Sequence, residues 1–404
     1  MRKKVRILSL LSLGVMASLL PIIRLGYQQD RIFNLVDLQS AVHSQESFTV
    51  VAKSAERQWT GVAISDSSEI LVNFPKWVEG EQFGDSVAKL VSGEPVPFPN
   101  KTWNQFWTND KRSNPKKPFV SVQAVYVDDS NYLWILDTGN PNFEGIIPGA
   151  TKLVRVNLSD NSLQVIPVDP RVLITDDEDG RDSSINDIRV DVDEEVAYIS
   201  DSEQAGLIIV ENIYSSQPTF RRVLDDDPST TAEEINITIN GEIWGGNEGS
   251  PRVHSDGVAL HPSGSYLCYQ ALTATTVYCA KTKDLRDQKL SDSELGKRVF
   301  ALGVFGLADG LLFDQQGRLY HSSLALNAVR RVSLTKEQLD ALAEGVNSSV
   351  DPSSIQIIAQ DQAFLAWPDS FSESPDGSVY VTASRIHQAP RPPYYIVKLL
   401  TKND

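Results

Sequence analysis

The chain has 404 residues, 41% hydrophobic and 22% charged, with a formal net charge of −16. These proportions are those of a folded globular protein and exclude disorder over most of the length. The acidic excess argues against nucleic acid as a partner and favours cationic ligands, because Lys/Arg clusters occur only in the first six residues and at 111–117.

The chain opens with Arg2, Lys3, Lys4 and Arg6, followed by an apolar run over residues 7–23. This is the plan of a signal peptide, so residues 1–30 read as a signal peptide or, uncleaved, an N-terminal membrane anchor. The expected location is secreted or extracytoplasmic. Any membrane contact would run through this segment alone, and residues 45–404 are expected to form one domain.

Residues 48–52 (FTVVA) form a strand-like run with no partner nearby in sequence. Beyond them one plan recurs: an alternating strand, a polar turn, and a second alternating strand, as in VQAVYVDDSNYLWILDTG over residues 122–139. Aligned on the first polar residue, the units begin at Thr60, Gln123, Asn186, Asp256, Asp309 and Asp369, at intervals of 63, 63, 70, 53 and 60 residues. One such unit cannot bury both faces of its own sheet, so a long-period repeat of strands implies sheets packed on one another. Six units predict an all-β fold, a six-bladed β-propeller. The last unit supplies only three strands, DSFSESP, SVYVTAS and YYIVKLL. Residues 48–52 are expected to add the fourth, pairing with 395–399 and closing the ring.

Between the units, residues 101–118 read as a long surface connection, and the acidic stretches 174–182 and 225–227 as solvated loops. The first of these lacks the bidentate Glu that an EF-hand register requires. Residues 238–251 (TINGEIWGGNEGSP) combine Trp244 with four glycines, and Trp244 is expected to cover a pocket. The only two cysteines, Cys268 and Cys279, fall opposite each other if 266–271 and 277–281 pair as a hairpin, and export permits a disulfide.

The segments YLWILDTG, INDIRVD with VAYISDSEQAGLIIVENI, SDGVALHPSG with YLCYQAL, and ADGLLFD with GRLYHSSLALNAVRRV resemble the major royal jelly/yellow protein family, in a bacterial-type version. The resemblance runs from about Thr60 to the C-terminal end. It implies a six-bladed propeller, usually secreted, in a family that includes members linked to dopachrome conversion, binders of biogenic amines and nutritive proteins. It supplies no catalytic residue.

In a propeller the first strand of each blade lines the central tunnel, so the six aligned positions should converge at one mouth. All carry oxygen. Asn186, Asp256, Asp309 and Asp369, with Trp244 above them, are the expected ligand site for a small cationic or catechol-like molecule. The same four oxygen-bearing residues are the expected ligands of a divalent metal, Ca²⁺, if one binds. His254, two residues before Asp256, is the candidate general acid/base, whereas His261 begins a turn and His321 sits within a second strand. The alternative reading is a metal-dependent, gluconolactonase-like lactonase, in which the metal polarises a carbonyl.

Overall fold

A computed structural model describes residues 48–77, 84–106, 114–175, 180–347 and 349–400, all within the compact unit His43–Asp404. The expected leader or anchor and residues 176–179 of the acidic loop lie outside the described residues. Among the described residues no helix is long and apolar enough to cross a membrane.

Six four-stranded antiparallel sheets form the blades, and five of them take their strands in sequence order. The sixth is completed by Phe48–Ser54, which pairs with Tyr394–Leu399 in the register Phe48↔Leu399 to Ser54↔Tyr394. The ring is therefore closed by its own N-terminal strand, and the edge that the last blade would otherwise expose is paired. Alternation in each strand sends apolar side chains to both faces, and each face meets the next blade. The result is six inter-blade cores, the closing one holding Ala52, Trp59, Val62, Phe74 and Ile396 between the last blade and the first.

Five residues after each aligned position stands the side chain that closes the first turn: Ser65, Asp128, Asp191, His261, Asp314 and Ser374. Asp128 accepts from the amides of Ser130 and Tyr132 and from the Trp134 indole, and Asp314 from the amides of Gln316 and Arg318. His261 serves the same purpose, taking the Ser263 amide on Nδ1. The Asp of LDTG is likewise structural. Asp137 accepts from the amides of Val120, Ser121 and Gly139 and pairs with the buried Lys152 at 2.7 Å.

Residues 101–118 are not wholly a surface connection. Asn104 is buried there and its Oδ1 accepts from the amides of Ser86 and Val87, while Phe106 is only 2% exposed. An Asn that satisfies two strand-end amides is worth burying, and composition does not reveal it.

Cys268 and Cys279 are directly paired across the second and third strands of the fourth blade and form a disulfide. Their separation of 11 residues closes a short loop, so Cys279→Ser is expected to lower unfolding free energy by about 2 kcal/mol. Urea unfolding of the variant against the non-reduced parent measures it, and equal midpoints would show that the bond contributes nothing.

Candidate functional site: the tunnel mouth

The side chains at the mouth are aimed by breaks in strand register. In four first strands the pairing skips at the aligned position: between Val122 and Ala124, Ile185 and Ile188, Ser255 and Val258, and Pro368 and Phe371. A bulge of this kind turns one side chain out of the sheet's alternation, here into the channel. The first and fifth blades reach the same result by starting their first strands, Val62–Ile64 and Leu311–Phe313, just after the aligned residue.

In five of the six blades the following residue is small, Asp187 being the exception, because the next blade passes close by. A Cβ on Gly257 would stand 2.3 Å from the carbonyl oxygen of Asp309, and one on Gly310 2.0 Å from that of Asp369. A polar residue 13 or 14 positions after the aligned one then fastens these irregular segments. Ser322 Oγ accepts from the amides of Asp309 and Gly310, at 2.9 Å each. Thr382 Oγ1 accepts from the Ser370 amide and donates to Thr60 O, and Ser200 Oγ accepts from the Asp187 amide and donates to Asp256 O.

Thr60, Gln123, Asn186, Asp256, Asp309 and Asp369 all line one cavity of about 460 Å³. Gln123 Nε2 donates to Asn186 Oδ1 at 3.1 Å. Asp256, Asp309 and Asp369 are 4%, 8% and 6% exposed, and the Asp309 carboxyl lies within hydrogen-bonding reach of the other two. Burial first, and then the neighbouring carboxylates, hold Asp256 and Asp369 well above the usual aspartate range. Burial raises Asp309 too, to about 7, with the Trp367 indole N–H opposing it through a 2.5 Å bond to Oδ2. Asp187, a fourth carboxylate of the lining, is paired with Arg189 at 2.7 Å. Arg189 also donates to Leu311 O.

The walls above are aromatic. Trp77 and Phe143 stack with centroids 5.7 Å apart, and the Trp244 edge meets Trp367 at 5.0 Å. Trp367 is fully buried and has φ of 58°, a left-handed conformation that a bulky residue adopts only when its surroundings hold it there. Those surroundings are Trp244, the stacked His387 ring at 5.6 Å and the bond to Asp309.

Of the candidates read from sequence, Asn186, Asp256, Asp309, Asp369 and Trp244 are brought together. His254 is not among the lining residues, and its Nδ1 is engaged by the Ala232 amide at 3.1 Å. Among the described residues no three His, Cys, Asp or Glu side chains stand in a geometry that holds a metal ion. Within the predicted donor set, Asn186 Oδ1 accepts from Gln123 and Asp309 Oδ2 from Trp367. Trp367 and Asp187 were not singled out from sequence, although Trp367 precedes the Pro-Asp pair of the last repeat and Asp187 follows Asn186 directly.

A carboxyl raised from 3.8 to about 7 binds its proton more tightly in the folded protein than in the unfolded chain. Its contribution to stability is therefore full at low pH and is lost as pH rises through about 7. The ligand-free protein is expected to melt lower at pH 8 than at pH 6, and Asp309→Asn to weaken that dependence without abolishing it, Asp256 and Asp369 being raised as well. Scanning calorimetry across this range decides, and a parent melting temperature that rises with pH would contradict it.

The model of the family described as Major royal jelly protein matches residues 120–389, more than half of the chain. No curated protein matches. Among solved structures, a gluconolactonase from Xanthomonas campestris is 12% identical with a TM-score of 0.48, covering 86% of this chain and 87% of its own. A putative oxidoreductase (glucose dehydrogenase) from Thermus thermophilus is 13% identical with a TM-score of 0.47, covering 87% and 99%. A streptogramin B lyase is 11% identical with a TM-score of 0.46, covering 88% and 99%.

Proposed function

Because the chain belongs to the major royal jelly protein family and gathers buried carboxyls beneath aromatic walls at one tunnel mouth, we propose that it is an exported propeller binding a small aromatic amine or catechol-like molecule there. The observation that carries the reading is the cluster of Asp256, Asp309 and Asp369 in a cavity of about 460 Å³, a size suited to a small ligand. An ammonium group entering it would donate charge-assisted hydrogen bonds to carboxylate oxygens, Asp369 Oδ2 having no partner of its own. Its ring would lie against Trp77, Phe143 and Trp244, where π-faces also favour a cation. The basic and apolar N-terminal sequence and the disulfide of the fourth blade support export.

Turnover of dopachrome is the catalytic extension of the same reading. Tautomerisation moves a proton from carbon to oxygen within one molecule. A cluster that holds a carboxylate beside a carboxylic acid near pH 7 can accept that proton and return another.

Calorimetry with dopamine, and turnover assays with dopachrome and with a sugar lactone, each run with calcium and with chelator, test the proposal. Dopamine binding that is indifferent to calcium is the expected result. Calcium-dependent lactone hydrolysis without dopamine binding would replace it with the hydrolase reading.

A further inference from the structure

The AVRRV segment, Ala328–Ser333 with its final Ser, is the third strand of the fifth blade, and its two arginines face opposite sides. Arg330 shares the face of Val332, which packs between the fourth and fifth blades, and is 7% exposed. Its Nε donates to Ser323 Oγ, one bond for a group that carries five N–H donors. Burial alone shifts the guanidinium, down to about 10, with no carboxylate offsetting it. Three other buried cations are matched, Lys152 with Asp137, Arg189 with Asp187, and Arg222 with Asp201, while Lys76 is held by the carbonyls of Gly84 and Asp85. Acids are not scarce, since the chain has 53 against 37 basic residues. Burying a charge without a partner is costly, so the missing counter-charge calls for an occupant.

The surroundings are those of an anion. His321, the cross-strand partner of Arg330, is fully buried, and its Nδ1 lies 3.0 Å from Ser323 Oγ. A Ser323 hydroxyl that accepts from Arg330 can donate to that Nδ1, which fixes the imidazole proton on Nε2. Nε2 has no partner, and burial and Arg330 keep the ring neutral. Across the seam Gly306 presents no side chain to the guanidinium, and a Cβ there would lie 3.6 Å from Arg330 Nη2. None of these residues lines the tunnel cavity.

We propose that Arg330 and His321 hold a small monovalent anion of chloride size at the seam between the fourth and fifth blades, where it fastens two neighbouring blades together. Bromide provides the probe. Crystals grown in sodium bromide should show an anomalous peak within hydrogen-bonding distance of Arg330, and the protein should melt about 2 to 4 °C higher in sodium chloride than in sodium gluconate at equal ionic strength. Arg330→Met, which keeps a straight apolar stem, should abolish the chloride effect. Absence of the peak overturns the proposal. A peak with equal melting temperatures in the two salts overturns it as well, because it then marks an adventitious ion only. Both decisive measurements use the unaltered protein, so a variant that fails to fold does not rescue the idea.

Discussion

Asp309→Asn is expected to weaken dopamine binding at pH 8 by about 30-fold or more while leaving the fold intact. The Asn side-chain oxygen can still accept the Trp367 indole N–H that Asp309 now accepts at 2.5 Å, so the wall above the cluster keeps its anchor. What is lost is the charge. Burial raises Asp309 to about 7, so it is ionised at pH 8, in a cluster where Asp256 and Asp369 are also held well above the usual range. Removing one partner of a desolvated charge pair costs about 2–5 kcal/mol, and the lower end of that range is the 30-fold change expected. The same assignment fixes the pH dependence. A cation needs the ionised form, so affinity should fall about tenfold per pH unit below about 7 in the parent, and the slope should be shallower in the variant. Calorimetry of both proteins at three pH values checks the claim, and an Asn variant that binds within threefold of the parent would remove Asp309 from the site.

The sequence made the ring of the fold legible because the constraints that build it act on every blade. Each first strand needs a polar residue for the channel and a turn-closing side chain five residues on, and in five of the six a small residue stands where the next blade crosses. Asp256-Gly257, Asp309-Gly310 and their counterparts record this at a regular interval. The walls were not legible, since Trp77, Phe143 and Trp367 come from connections of unequal length whose paths carry no period. His254 shows the limit of periodic reasoning from the other side. Two residues from Asp256, it shares a face with that residue only in a regular strand, and the register break between Ser255 and Val258 ends the regularity. A bulge leaves a faint mark in composition, yet it decides which side chains reach the site.

That dependence on close backbone approach can be measured at Gly310, where alanine is expected to destabilise the protein by about 3 kcal/mol. A Cβ at this position would lie 2.0 Å from the Asp369 carbonyl oxygen and 3.0 Å from its carbonyl carbon, both backbone atoms of the neighbouring blade. Nothing flexible can move aside. The amide of Gly310 is also held by Ser322 Oγ at 2.9 Å, and its carbonyl accepts from the Ser322 amide at 3.2 Å, so retreat of this segment would break both bonds. Gly84→Ala provides the contrast, because the nearest atoms a Cβ there would meet belong to the guanidinium of Arg57, the far end of a long side chain. Urea unfolding of the two variants should separate them by about 2 kcal/mol or more. The displacement in Gly310→Ala would also push the Asp369 backbone away from Asp309, so dopamine binding should weaken in that variant and remain unchanged in Gly84→Ala. Equal unfolding midpoints for the two variants would mean that the blades yield at this contact, and that the Asp-Gly pairs are not what sets the positions of the tunnel carboxyls.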